Sequence, residues 1–396
     1  MVTGAMCLLS VLVLLPAYLL GSVAPFMPNP SGGAIPPLVA GAAVSLFFLT
    51  ASVGSRPALR LTTRVGTGRS LIAALTVTAA SLGAIVVHAS AASVIAALGV
   101  AGFSSAAVQP IANELLVRHV PPTRLARAFS IKQASAPGAA LLVGLSIPAV
   151  VEPFGWRVAF VVAAALCVVL AVPLGRFADE GGYAREDPAT KPLSLRLPRA
   201  SLLVALAAAG GLCTASANAL GAFLVRFAEA TSYSAETAGV ILAVTSLASL
   251  SARIVLGLLT ERRPRGSVFG LLGVSVLVGA AGYAMLAVAP AFALPVGALL
   301  AFVGGWSWTG LLVFAVVSMP DERSIRDRTS SLQVGLSLGA AAGPLAFAFA
   351  IRGLGYGWAW GFAAASCVVA AGIFVVAHLR AKPAPGRAIT SEYPSA

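Results

Sequence analysis

Long apolar stretches alternate with short polar breaks along almost the whole of this 396-residue chain. About 20 helical residues cross the hydrocarbon core of a bilayer, so each apolar stretch of that length predicts a membrane-spanning helix. Helix is the expected form because lipid offers the backbone no hydrogen-bond partner. The pattern predicts twelve spans, which are Ala5–Met27, Ile35–Ser55, Ser70–His88, Ala91–Asn113, Ser130–Val151, Trp156–Gly175, Ser201–Val225, Thr237–Leu259, Val268–Ala289, Ala293–Val317, Ser330–Ile351 and Trp358–Leu379.

The longest polar break lies between the sixth and seventh spans and divides the chain into two sets of six. It contains the segment ADEGGYAREDPATKP, whose glycines, prolines and mixed charges are typical of a flexible linker. The sequence therefore predicts an all-α membrane protein with four parts. These are an N-terminal six-helix bundle at 1–175, a cytoplasmic linker at 176–200, a C-terminal six-helix bundle at 201–380 and a cytoplasmic tail at 381–396.

The two halves share short motifs that recur in the same order, about 200 residues apart. The recurring motifs are P-x-x-R-x-x-R from Pro121 and from Pro320, S-x-x-Q at Ser130/Gln133 and at Ser330/Gln333, and G-W-x-x-x-F from Gly155 and from Gly357. Because each half has an even number of spans, both halves enter the membrane in the same orientation. The pattern predicts parallel repeats related by a pseudo-two-fold axis along the membrane normal.

The composition is typical of a membrane protein, and the distribution of charged residues predicts how the chain is oriented in the membrane. The chain is 59% hydrophobic and 10% charged, with a mean hydropathy of +0.94, whereas ordinary soluble domains are about 25% charged. Its net charge is +13, and all 26 Lys and Arg residues except Arg157, Arg226 and Arg352 fall on one predicted membrane face. The positive-inside rule then places both termini in the cytoplasm, and we expect the inner (plasma) membrane. No loop is long enough for a nucleic-acid-binding domain, so no nucleic-acid partner is expected.

The sequence contains no motif that indicates catalysis or metal binding. The four cysteines lie in apolar stretches without a C-x-x-C pair, and the three histidines are isolated, so no metal site is expected. There is also no phosphate-binding loop and no nucleophile–base motif. We therefore predict a protein that is not an enzyme, has no cofactor and is not driven by ATP.

Two corresponding loops resemble the signature of the major facilitator superfamily, which runs roughly G-x-L-x-D-R-x-G-R. The loop after the second span has Arg64, Gly66 and Arg69, with Thr63 at the acidic position; the loop after the eighth span reads GLLTERRPR. The resemblance covers nearly the whole chain and implies the superfamily's two-bundle fold and secondary transport. It also implies a cytoplasmic latch of charge-assisted bonds, which comprises Arg64, Gly66, Arg69, Arg253, Gly257, Glu261, Arg262 and Arg265. The alternatives are that the loop arginines only anchor the loops, and that Arg253 binds a ligand.

The fifth span and its flank, IKQASAPGAALLVGLSIPAVVEPFGWRVAF, are similar to the cyanate-permease-like branch of that superfamily, which includes carriers of small anions. The fourth span lacks the buried arginine that antiporters of the superfamily often carry. The resemblance therefore gives no support to drug–proton antiport.

Polar side chains inside spans are the candidates for solute contact, because they are costly there. The resemblance implies that the first, second, fourth and fifth spans of each half line a cavity. Trp306 and Trp308 lie about 200° apart on an ideal helix, which predicts one facing the cavity and the other facing lipid or a neighbour; the alternative is that both are packing aromatics. Lys132 could attract an anion, snorkel to the interface or pair with Glu114. The candidate cavity residues are Gln109, Asn113, Lys132, Gln133, Asn218, Trp306, Trp308 and Gln333.

Acidic residues are absent from the middle of every predicted span, and only Glu114 is predicted to lie near a span at all. A neutral-to-positive cavity suits a small anion or a neutral organic solute. The sequence thus predicts a monomeric secondary active transporter that works by alternating access, surrounded by membrane lipid, with a proton as the candidate coupling ion. The alternatives are an exporter of neutral or hydrophobic compounds and a transporter-shaped sensor that binds without translocating.

Overall fold

The computed structural model describes residues 2–28, 32–179, 200–261, 268–288, 291–317 and 325–381. Within these ranges the backbone is helical apart from short turns and one isolated bridge between Pro28 and Ala34. In the described part of the chain, eleven helices are long and apolar enough to cross a membrane, and Pro37–Val53 is a shorter twelfth. The predicted all-α architecture with twelve spans is confirmed.

The first six spans are formed by Val2–Val23 with a 3₁₀ turn at Ala24–Phe26, Pro37–Val53, Thr67–Val87, Ala91–His119, the segmented fifth span, and Trp156–Asp179. The last six are formed by Ala200–Ala230, Ala235–Glu261, Val268–Val288, the segmented tenth span, Ile325–Leu354 and Tyr356–Ala381. Three short helices lie outside these spans, at Ser55–Val65, Glu152–Phe154 and Ala291–Ala293. The sixth span therefore continues through 176–179, which the sequence assigned to the linker.

Two spans that the sequence predicted as continuous are interrupted. The fifth consists of Pro122–Gln133 and Ser135–Ser146, followed by a π-helical turn at Ile147–Val151. The tenth consists of Leu294–Gly305 and Thr309–Val317, separated by three non-helical residues. Hydropathy averaged over a whole span does not detect such breaks, because a break of a few residues changes the average over about 20 residues very little.

The predicted linker and tail lie mostly outside the described residues. Residues 180–199 and 382–396 are not among those the structure describes. The domain boundaries that the sequence predicts at these segments therefore stay predictions.

Among the described residues, three helix pairs make most of the contact between the N-terminal six spans and the C-terminal six: the first with the seventh, the second with the eleventh and the fifth with the eighth. On the face opposite the chain ends, which we call the far face, glycines bring these pairs together. A Cβ atom would lie 2.6 Å from Ala222 Cα if added at Gly21, 2.6 Å from Ala348 Cβ at Gly41 and 2.8 Å from the Gly239 carbonyl oxygen at Gly144. These three contacts form the far-face seam, which has no room for side chains.

The outer surface of the bundle is apolar, as a lipid-facing surface must be. Large side chains such as Val168, Leu338 and Val369 are more than half exposed along the middle of their spans. The polar groups that are buried instead lie between spans, and several of them meet near the centre of the protein.

Candidate solute-binding site

A hydrogen bond between the two halves lies at the centre of the bundle. The Tyr18 hydroxyl donates to Asn218 Oδ1 at 3.1 Å, and both side chains are buried. The two residues are 200 positions apart, which matches the repeat spacing, so equivalent positions of the first and seventh spans meet across the pseudo-axis. The sequence singled out Asn218 but missed Tyr18. The signal available was that a tyrosine hydroxyl within a span needs a partner.

Trp306 packs against this hydrogen bond from the tenth span. Its ring meets the Tyr18 ring edge-on, with centroids 5.6 Å apart. Gly221 makes room for both rings, because a Cβ atom there would lie 2.8 Å from Tyr18 and 3.2 Å from Trp306. Two aromatic rings therefore line the interface between the halves beside its central polar pair.

The break in the tenth span is held by side chains. The Trp308 indole N–H donates to the Gly305 carbonyl at 2.8 Å, and the hydroxyls of Ser307 and Ser249 are 3.2 Å apart. Both Trp306 and Trp308 are buried. The helical-wheel separation predicted for the two tryptophans does not apply, because residues 306–308 are not helical.

Arg253 lies in the eighth span and reaches across to the other half. Its Nη1 donates to the main-chain carbonyl of Gln133 at 2.7 Å, and its Nη2 donates to the carbonyl of Trp306. The residue is only 7% exposed, and its Nε is buried without a hydrogen-bond partner among the described residues. We call these two hydrogen bonds the Arg253 bridge; it connects the broken fifth span, the broken tenth span and the eighth span.

The acceptors of the Arg253 bridge are available because both helices are interrupted. In a continuous helix the Gln133 carbonyl would accept from the N–H of residue 137, but residue 137 is a proline and has no N–H. Trp306 directly follows the last residue of the helix Leu294–Gly305, and the last carbonyls of a helix lack helical donors. The guanidinium thus satisfies two main-chain groups that the breaks leave free.

Lys132 is the second buried cation, and it lies within the N-terminal half. Its Nζ donates to Gln109 Oε1, and the residue is 3% exposed. The carboxylate of Glu114 instead accepts from Arg118, one turn further along its own helix. Lys132 therefore neither snorkels to the interface nor pairs with Glu114, and two of the three alternatives left by the sequence are ruled out.

Two of the predicted cavity residues are exposed and take no part in the hydrogen bonds described above. Asn113 is exposed. Gln333 is also exposed, and its Nε2 donates to Ser337 Oγ, one turn along the same helix, at 3.4 Å. Gln133, by contrast, takes part in the Arg253 bridge through its carbonyl. The repeat symmetry that pairs Gln133 with Gln333 in sequence therefore does not give them matching surroundings.

Comparison with known proteins assigns the family. The sequence model described as Major Facilitator Superfamily matches residues 6–325. The chain belongs to the major facilitator superfamily. No curated protein matches it at a significant level.

Solved structures show the same superfamily fold. A bacterial homologue of the human lysosomal transporter Spinster, in an inward-facing and occupied conformation, has a TM-score of 0.70 and 16% identity over 97% of this chain and 98% of that one. A POT family transporter in complex with 5-aminolevulinic acid has a TM-score of 0.75 and 13% identity over 96% of each chain. Identities this low show the fold alone, so the likeness to the cyanate-permease-like branch stays a prediction.

The superfamily loop signature is only partly described by the structure. Arg64 and Arg69 are exposed, and Gly66 has a φ of +100°, which an L side chain rarely adopts. The carboxylate at this loop comes from elsewhere, since Asp179 at the end of the sixth span accepts the N–H of Gly68 at 2.7 Å.

Fewer residues of the second copy of the signature are described by the structure. Gly257 is half-buried. The side chain of Glu261, together with Arg262 and Arg265, lies outside the described residues. Arg253 precedes Glu261 by eight residues, which is about 12 Å along the helix. Its guanidinium donates to the carbonyls of Gln133 and Trp306 in the Arg253 bridge. The latch therefore stays a prediction, and Arg253 is placed at the centre of the superfamily fold.

The expectation that only Glu114 lies near a span is wrong. Asp179, Glu229 and Glu236 also lie within helices that form spans, and Glu152 directly follows the last turn of the fifth span. All of them are near span ends, however, and none of the described spans carries an acidic residue at mid-depth. The central polar groups are consequently neutral or cationic.

Proposed function

We propose that this superfamily member is a secondary active transporter that moves a small solute by alternating access between its two halves. The observation that carries the proposal is the central polar cluster, in which Arg253 and the Tyr18–Asn218 pair each form hydrogen bonds from one half to the other. Transporters built from repeats bind their solutes near the midplane at the repeat interface. Hydrogen bonds that cross that interface can be remade as the halves move.

A small anion is the solute class that the charges favour. Lys132 and Arg253 are both buried, and their hydrogen-bond partners are neutral oxygens. A charge near the bilayer centre costs about 2.5–3.5 kcal/mol on insertion scales, and a bound anion would offset part of that cost. A cationic solute would be repelled. A neutral organic solute remains the second candidate, because the Tyr18–Asn218 pair can serve a neutral hydrogen-bonding group.

The membrane setting follows from the charge distribution. The excess of Lys and Arg on the face that carries the chain ends supports cytoplasmic termini in an inner (plasma) membrane. We propose that the transporter acts as a monomer surrounded by lipid and that a proton is its candidate coupling ion.

Counterflow in proteoliposomes tests the proposal. Vesicles containing the purified protein are loaded with an unlabelled solute and diluted into the same solute in labelled form. The panel comprises benzoate, acetate and nitrate as anions, benzamide and glycerol as neutral solutes, and tetraethylammonium as a cation. We expect transient accumulation of at least one labelled anion. Binding without exchange would indicate the sensor alternative, and exchange of only neutral apolar compounds would indicate the exporter alternative.

A further inference from the structure

We infer that Arg253 is the anion-binding group of this transporter, that its preferred ligand is a carboxylate, and that the ligand binds by displacing the Arg253 bridge. The inference rests on the proposed function. It goes further by naming the residue, the chemical class of the solute and the contact between the halves that is exchanged when the solute binds.

The hydrogen-bonding capacity of Arg253 is only partly used. A guanidinium has five N–H donors in a fixed plane. Nη1 and Nη2 donate to the carbonyls of Gln133 and Trp306, whereas Nε is buried and has no acceptor among the described residues. A buried donor without an acceptor costs about 1–3 kcal/mol, and more when the group is charged. The planar donor set therefore includes a donor that no described residue satisfies and that a ligand acceptor could use.

The present acceptors of Arg253 balance none of its charge. Both are neutral main-chain carbonyls. Hydrogen bonds from a guanidinium to a carboxylate are charge-assisted on both sides and frequently bidentate, with two parallel N–H···O bonds. A carboxylate is therefore a stronger acceptor than either carbonyl, and when it binds end-on to Nη1 and Nη2 it replaces both of them.

The groups around Arg253 indicate what else the solute carries. The Tyr18 and Trp306 rings lie edge to face beside the bridge, and Trp306 itself supplies one of the carbonyls. Aromatic surfaces of this kind suit an apolar body attached to the anionic group. We therefore infer a small organic carboxylate in preference to an inorganic anion.

Displacement of the bridge would link binding to movement. The bond from Arg253 to Gln133 joins the eighth span of one half to the fifth span of the other. When a carboxylate takes the guanidinium, this connection between the halves is lost, and the solute replaces it. A ligand shifts a conformational equilibrium only through contacts that differ between the two states, and this exchange supplies such a contact.

The test compares Arg253→Gln, Arg253→Lys and Pro137→Ala with the full-length wild type, using benzoate and its neutral counterpart benzamide as probes. Binding is measured by calorimetry and exchange by counterflow. We expect Arg253→Gln to weaken benzoate binding at least tenfold with no comparable loss for benzamide. Arg253→Lys keeps the charge but loses the planar donor set, so it should fall between the wild type and Arg253→Gln.

Pro137→Ala provides the sharper variant, because it leaves the charge and the guanidinium in place. It restores an N–H at residue 137 that can bond to the Gln133 carbonyl, so it weakens the acceptor with which the solute competes. One net hydrogen bond corresponds to about 1 kcal/mol, so benzoate should bind about fivefold more tightly. Two exposed positions provide controls. Pro173→Ala in the sixth span controls for the removal of a proline, and Arg352→Gln controls for the removal of a charge. Neither control should alter benzoate binding.

The outcomes separate this inference from the proposed function. If the wild type exchanges none of the solutes, the proposed function fails. If the wild type exchanges benzoate and Arg253→Gln binds it equally well, or Pro137→Ala binds it more weakly, only the assignment of Arg253 fails. If Arg253→Gln does not fold, Pro137→Ala and Arg253→Lys still decide the question.

Discussion

The far-face seam and the central polar cluster both join the two halves, but by different kinds of contact. At the seam, Gly21, Gly41 and Gly144 bring helices close enough that a Cβ atom would overlap the opposite helix. At the centre, the halves meet through directional hydrogen bonds from Tyr18 and Arg253. Close packing depends on shape and tolerates no added atom, whereas a hydrogen bond can change its acceptor. We propose that the seam closes the far face and that the centre exchanges partners with a solute.

The largest effect is expected from filling the seam. In Gly144→Val the new side chain would meet the Ala243 main-chain nitrogen, which lies 2.6 Å from an added Cβ atom. Overpacking costs about 1–3 kcal/mol, so we expect a clear fall in melting temperature and a transport rate reduced at least tenfold. Gly83→Val is the matched control, since nothing lies within 4 Å of a Cβ atom there. Equal effects of the two variants would mean that the seam has no special role.

A second prediction concerns the pair formed by Lys132 and Gln109, and it depends on which partner is removed. Gln109→Leu leaves a buried ammonium without its amide acceptor and should destabilise the protein by about 2 kcal/mol. Lys132→Met removes the charge along with its need for a partner, so it should cost much less. Thermal unfolding of both variants measures the difference. If Lys132→Met destabilised the protein more than Gln109→Leu, the claim that Gln109 mainly serves to satisfy the buried ammonium of Lys132 would be wrong.

Breaking the central hydrogen bond should have a moderate effect. Tyr18→Phe keeps the ring against Trp306 but removes the donor to Asn218, at an expected cost of about 1 kcal/mol. A double-mutant cycle with Asn218→Leu isolates the coupling, which should be about 0.5–1.5 kcal/mol. Additive effects on the unfolding free energy would show that the two side chains do not interact.

The smallest effect is expected at the loop after the second span, far from both interfaces between the halves. Asp179→Ala removes the acceptor for the Gly68 N–H in the first turn of the third span, and we expect a cost at the low end for a lost helix cap, about 0.5 kcal/mol. Stability should fall slightly while solute affinity stays at the wild-type value. A large loss of affinity, measured by calorimetry, would instead place this loop in the binding mechanism.

Sequence reasoning predicted the twelve spans, although not the breaks in the fifth and tenth, and only part of the centre. Asn218, Gln133 and Trp306 were recognised as candidates because polar or aromatic groups inside spans are conspicuous. Tyr18 was missed because a tyrosine in an apolar stretch looks like an ordinary packing residue. Arg253 was assigned to a loop latch because it lies close to Glu261 along the chain. In the structure its Nη1 donates instead to the carbonyl of Gln133, which is 120 positions earlier.

The sequence by itself determined that this protein is a bundle of apolar helices in two parallel halves, because lipid leaves the backbone no alternative to helix. It also determined that the loops on one face are basic and that mid-span positions lack acids. Only the tertiary structure decided which polar groups meet. The reason is that a hydrogen bond between spans depends on the rotation and depth of each helix and on breaks such as the one before Pro137, and none of these changes the hydropathy of the chain.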